Sequence, residues 1–186
     1  MESLAAEFGH PTYTPFPVIV ARLLLAAVFG AAIGFEREWR NRPAGLRTHI
    51  LVCVAAAAFA ILTTEIVHAP MFRMENARFD PIRVVEAVTA GVAFLAAGVV
   101  IFTKGEVHGL TTGAGMWLAG AIGVAGGLGF WQIALLATII ALVVLGLLHA
   151  LEARLDLDGE VASTRKSAER KTGPKSDDPT HDEPAR

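Results

Sequence analysis

The chain has 186 residues, 53% of them apolar, and a mean hydropathy of +0.50. Charged residues make up 18%, below the roughly 25% usual in a soluble domain, and they cluster between long stretches that hold almost none. That pattern excludes an ordinary soluble enzyme or a nucleic-acid-binding domain and indicates an integral membrane protein; the net charge of −2 says little, because a bilayer reads where charges sit rather than their sum.

Residues 1–15 contain Glu2 and Glu7 and no Lys or Arg, so the basic start of a cleaved signal peptide is missing. The first apolar run is therefore expected to remain as a membrane anchor. A crossing helix needs about 20 apolar residues, which places five spans at roughly 17–36, 48–67, 82–102, 109–127 and 130–150. Pro17 and Pro81 suit first-turn helix positions, and Asp80 is placed to cap the third helix. Gly126, Gly127 and Gly129 offer a tight turn between the last two spans, with Trp131 at the interface. With five spans, twelve of the sixteen Lys and Arg residues fall on one side and four on the other, so the first side is cytoplasmic, and residues 1–16 are a periplasmic segment. Residues 17–151 form the transmembrane domain. From about 152 to 186 the chain has almost no large apolar residues and reads as a disordered cytoplasmic tail. The fold class is an all-α integral membrane protein, a five-helix transmembrane bundle.

A shift of 64 residues aligns Pro17 with Pro81, Gly34 with Gly98, and Gly45-Leu46-x-Thr48 with Gly109-Leu110-x-Thr112. Two readings stand: a parallel internal repeat of helix pairs, or small residues and threonines shared by tightly packed helix starts.

Between the first two spans, residues 34–49 read GFEREWRNRPAGLRTH. Arg40 and Arg42 suit a basic anchor near anionic lipid. Glu36 and Glu38 do not, because a carboxylate near hydrocarbon is costly unless paired. Glu36 is expected to pair with Arg47 or Arg37, and Pro43 and Gly45 to turn the chain back. Glu36, Arg37, Glu38, Arg47, Thr48 and His49 form the first candidate site, as a structural ion-pair network or a ligand site. On the outer side, Arg22, Glu65, Asp80, Arg83 and Glu86 form a second candidate polar cluster, in which the acids either hold a Mg²⁺ ion or pair with Arg22 and Arg83, which compete for them. The helix starts at Gly45, Leu46, Gly109, Leu110, Thr111 and Thr112 expose N–H groups that favour anions, with simple capping by Thr48, Thr111 or Thr112 as the plainer reading. His49 and His108 read as interfacial hydrogen-bonders. Gly30/Gly34, Gly109/Gly113 and Gly123/Gly127 allow close helix approach, in the bundle, with a partner helix or in a homo-oligomer. Cys53 reads as a small buried residue. No hydrolase, phosphate-loop or zinc motif is present, so no enzyme activity is expected.

Taken in order, GAAIGFERE (30–38), AGLRTHILV (44–52), DPIR (80–83), FLAAGVV (94–100) and HGLTTGAGMW (108–117) resemble the N-terminal membrane domain of the MgtC/SapB family. The resemblance covers about residues 18–150. It implies a bacterial inner-membrane protein linked to magnesium homeostasis, acting on another membrane protein as its partner. A transporter or channel for an ion or small solute is the alternative. The soluble domain that some family members carry after the last span is replaced here by the polar tail.

Overall fold

In a computed structural model, residues 12–69, 80, 82–103 and 106–147 are described. They lie almost wholly in one compact unit, Met1–Leu145; of a second, Gly146–Arg186, only Gly146 and Leu147 are described. The polar tail, Pro81, Lys104 and His149 lie outside the described residues.

Five helices follow in order: α1 Phe16–Trp39, α2 Leu46–His68, α3 Ile82–Ala97, α4 Leu110–Leu128 and α5 Trp131–Leu147. The Ala- and Leu-rich runs carry no internal proline, and Pro17 sits in the first turn of α1, where its missing N–H costs nothing. Asp80 Oδ1 accepts the Ile82 N–H at 3.0 Å and opens α3. α1 and α2 are each long and apolar enough to cross a membrane.

The third helix is shorter than the sequence suggests. α3 stops at Ala97, and the chain forms an antiparallel hairpin, β1 Ile101–Thr103 with β2 Glu106–His108. Val99, Val100 and Ile101 continue the apolar run, but β-branched residues suit a strand as well as a helix. Gly109 then reverses the chain into α4 with φ 87°, and a side chain there would collide with the Val99 carbonyl. The turn between α4 and α5 also differs. Gly126 and Gly127 belong to α4 and are buried, and Gly129 alone makes the turn, with φ 92°.

α2 is the central helix, packed between α1 and α4. Its two neighbours approach through glycine. A Cβ on Gly30 would lie 2.7 Å from the His49 carbonyl oxygen, and one on Gly34 would lie 2.7 Å from Leu46 Cα. Across α2, side chains on Gly123 and Gly127 would run into the Cys53 and Ala57 carbonyls. The small-residue pairs thus serve packing within the chain. Ala26, Phe29 and Ile33 of α1, Cys53, Ala56 and Ala57 of α2, Met116, Ala119 and Ile122 of α4, and Ala134 and Ala141 of α5 share one core. The Cys53 thiol donates to the Ala119 carbonyl at 3.0 Å, which joins α2 to α4. α3 packs mainly on α4 and leaves an apolar groove of about 330 Å³ against α2, lined by Val52, Ala56, Phe59, Val84, Val88 and Gly91 among others.

α2 and α4 start 64 residues apart, each behind a glycine, in the register of the sequence repeat. Their preceding helices differ: α1 has 24 residues and α3 has 16.

Candidate functional site

On α1 the buried positions Gly30, Ile33, Gly34 and Arg37 follow helical spacing. The glycines draw α2 close, and the same face then delivers Arg37 into the bundle one turn later. Arg37 is 3% exposed, and its Nη2 donates to Thr112 Oγ1 of α4 at 2.9 Å. Thr112 is equally buried. This contact links residues 75 positions apart and ties the end of α1 to the start of α4.

His49, in the first turn of α2, is fully buried. Its Nδ1 lies 2.9 Å from the Gly45 carbonyl, which assigns the proton to Nδ1 and leaves the Nε2 lone pair facing inward. A side chain on Gly115 of α4 would come 3.3 Å from that nitrogen. Glu36, Arg37 and His49 act on one another electrostatically. The Glu36 oxygens, Arg37 Nε and His49 Nε2 are buried and make no hydrogen bond among the described residues.

Glu36 is held by charge instead. Its Oε1 forms an ion pair with Arg40 Nε, one helical turn along α1, with both side chains mostly buried. The expected pairing with Arg47 or Arg37 is therefore corrected. Arg40 shares a helix face with Glu36, whereas Arg47 opens α2 on its exposed side. The acid that bridges the two helices is Glu38: its Oε2 accepts the Leu46 N–H at 3.0 Å and occupies the space a side chain on Gly45 would need. A carboxylate at a helix N-terminus satisfies an orphan donor and the helix dipole together. Capping by threonine is also corrected. The N-cap residues of α2 and α4 are glycines with no side chain to cap with, Thr112 turns inward to Arg37, and among the described residues neither Thr48 nor Thr111 makes a capping bond. The turn itself closes through Asn41, whose left-handed φ of 51° asparagine tolerates, and through Arg42 N–H donating to the Arg37 carbonyl at 3.1 Å.

At the other end of the bundle the expected cluster separates. Arg22 Nη1 donates to the Gly127 carbonyl at 2.9 Å. Glu65 accepts the N–H groups of Tyr13 and Thr14 at 2.6 and 2.9 Å, and the Tyr13 ring stacks on His68 at 3.7 Å. Asp80 caps α3, and Arg83 and Glu86 are exposed. Arg22, Glu65 and Asp80 thus each engage a local partner, and among the described residues no contact joins the five into one cluster. Among the described residues no three His, Cys, Asp or Glu side chains group in a way that could hold a metal ion.

The sequence reading placed His49 at an interface and missed its burial, the Arg37–Thr112 contact and the Glu38–Leu46 bond. The Glu36–Arg40 spacing was the one local signal available.

A family profile for the MgtC family matches residues 23–154. The "Putative magnesium transporter YhiD" of Escherichia coli K12 is 36% identical over 136 residues, covering 73% of this chain and 63% of that protein. "Protein MgtC" of Salmonella typhimurium LT2 is 42% identical over 127 residues, covering 68% of this chain and 50% of that protein. An uncharacterised protein of Haemophilus influenzae is 37% identical over 127 residues, covering 68% of this chain and 53% of that protein. The chain thus spans between half and two thirds of the length of these relatives. No solved structure matches it.

Proposed function

We propose, from the premise that this chain belongs to the MgtC family, that it is a multi-pass protein of the bacterial inner membrane that serves Mg²⁺ homeostasis by regulating another membrane protein. The observation that carries the regulatory reading is that three charged side chains at the end of α1 are engaged within the bundle. Arg37 meets Thr112, Glu36 meets Arg40, and Glu38 meets the start of α2. Cations that lock helices together are poorly suited to line an ion path, because a passing Mg²⁺ needs oxygen ligands and keeps several waters. Large apolar side chains face outward on all five helices, Leu24, Leu51, Phe94, Trp117 and Ile133 among them. Such faces suit lipid and a partner's transmembrane helix. The Lys and Arg distribution supports an orientation with the turn after α1 and the tail in the cytoplasm and the N-terminus outside. No catalysis is part of this reading.

A Mg²⁺ transporter is the second reading, favoured by the name that the YhiD relative carries. Full-length protein in proteoliposomes loaded with a Mg²⁺ indicator separates the two. The regulatory reading expects no influx above empty liposomes, and a stoichiometric membrane partner after cross-linking and purification from cells. Saturable influx without a partner supports transport instead.

A further inference from the structure

The turn after α1 holds four arginines and two glutamates between residues 36 and 47. Arg40 neutralises Glu36, Arg37 is buried on Thr112, and Glu38 is engaged at the Leu46 N–H. Arg42 and Arg47 remain. Both are exposed, and among the described residues their side chains make no hydrogen bond or ion pair. Arg40 and Arg42 both repel Arg37, so positive charge accumulates here beside an apolar bundle. Next to it, Trp39 is 79% and Phe35 59% exposed, with ring centroids 5.9 Å apart.

We propose that this turn binds the anionic headgroup of a phospholipid, with Arg42 and Arg47 on the phosphate and the Phe35 and Trp39 rings against the acyl and glycerol region. The charge on the turn calls for an anion. The exposed rings beside it call for one that carries apolar chains, which free phosphate does not. A guanidinium can take two phosphate oxygens at once, and tryptophan favours the level of the headgroups. The proposal concerns a surface outside the buried cluster and does not depend on the regulatory reading.

The test uses the full chain in detergent, titrated with phosphatidylglycerol or phosphatidylcholine, with bound lipid counted by native mass spectrometry. The wild type should retain phosphatidylglycerol preferentially. Each juxtamembrane arginine contributes about fivefold to such a preference, so Arg42→Gln or Arg47→Gln should each reduce it by about fivefold and the double variant by about twenty-five-fold. Arg83→Gln, exposed at the start of α3, should leave it unchanged. Inorganic phosphate at the same concentration should not displace the lipid. An equal taste for both lipids in the wild type overturns the proposal. So does a preference that survives in both single variants, an equal loss in Arg83→Gln, or displacement by phosphate alone. If the double variant does not fold, the two single variants decide.

Discussion

The Arg37 guanidinium donates to the Thr112 hydroxyl at 2.9 Å, with both side chains buried, and so fastens the last turn of α1 to the first turn of α4. The two ends of this bond are not equivalent. Thr112→Val keeps the shape of the side chain and strands a buried cation, at about 2–3 kcal/mol for a lost hydrogen bond to a charged group. Arg37→Met keeps much of the volume and strands only a hydroxyl, which can turn to a carbonyl of its own helix, at about 1 kcal/mol. Thermal unfolding in detergent should therefore rank Thr112→Val below Arg37→Met. The reverse order would mean that the packing of the arginine stem outweighs its charge.

Arg40 and Arg47 should differ in the same sense. Arg40→Ala leaves the Glu36 carboxylate, only 14% exposed, without its ion-pair partner, and a loss of about 2 kcal/mol follows. Glu36→Gln should cost less, because Arg40 at 20% exposure can reach water. Arg47→Ala should stay within about 0.5 kcal/mol, as for other surface changes. Melting temperatures of the three variants check this, and a severe Arg47→Ala defect would restore the pairing that the sequence alone suggests.

The glycines divide by what surrounds them. Gly123→Ala forces a methyl into the Cys53 carbonyl of α2 and should destabilise by about 1–3 kcal/mol or more. Gly91→Ala meets nothing within 4 Å and should be neutral or slightly stabilising, since alanine favours helix by up to about 1 kcal/mol. Yield and melting temperature of the purified variants distinguish the two sites.

At the opposite end, Glu65 holds the N-terminal segment through the N–H groups of Tyr13 and Thr14. Glu65→Ala removes both acceptors at once. Hydrogen exchange should rise several-fold in peptides containing Tyr13 and Thr14, while α2 away from its end keeps its protection. Unchanged exchange would show that the Tyr13–His68 stack suffices to hold the segment.

How much of this was legible in the sequence follows from the range of each interaction. The apolar runs placed five helices, and α2, α4 and α5 begin at Leu46, Leu110 and Trp131, within two residues of the starts read from hydropathy alone. The hairpin was hidden because Val99–Phe102 reads as the end of a span, and short β-branched apolar runs do not separate strand from helix by periodicity. The polar cluster was legible only in part. Glu36 and Arg40 carry the i,i+4 spacing of a helical ion pair, yet a pairing to Arg47 across the turn is equally plausible until Glu38 is seen to occupy the start of α2. The partner of Arg37 lies 75 residues away, and nothing local in either segment announces it. The burial of His49 follows from the approach of Gly30 and Gly115, which depends on the packing of α1 and α4.

The central claim is that the buried Arg37–Thr112 bond locks the end of α1 to the start of α4. It is tested most directly by a double-mutant cycle on Arg37→Met and Thr112→Val, read as unfolding free energy in detergent. The double variant strands no charge, so it should be less destabilised than Thr112→Val alone, with a coupling of about 1–3 kcal/mol. Additive effects, with a coupling below about 0.5 kcal/mol, would contradict the lock.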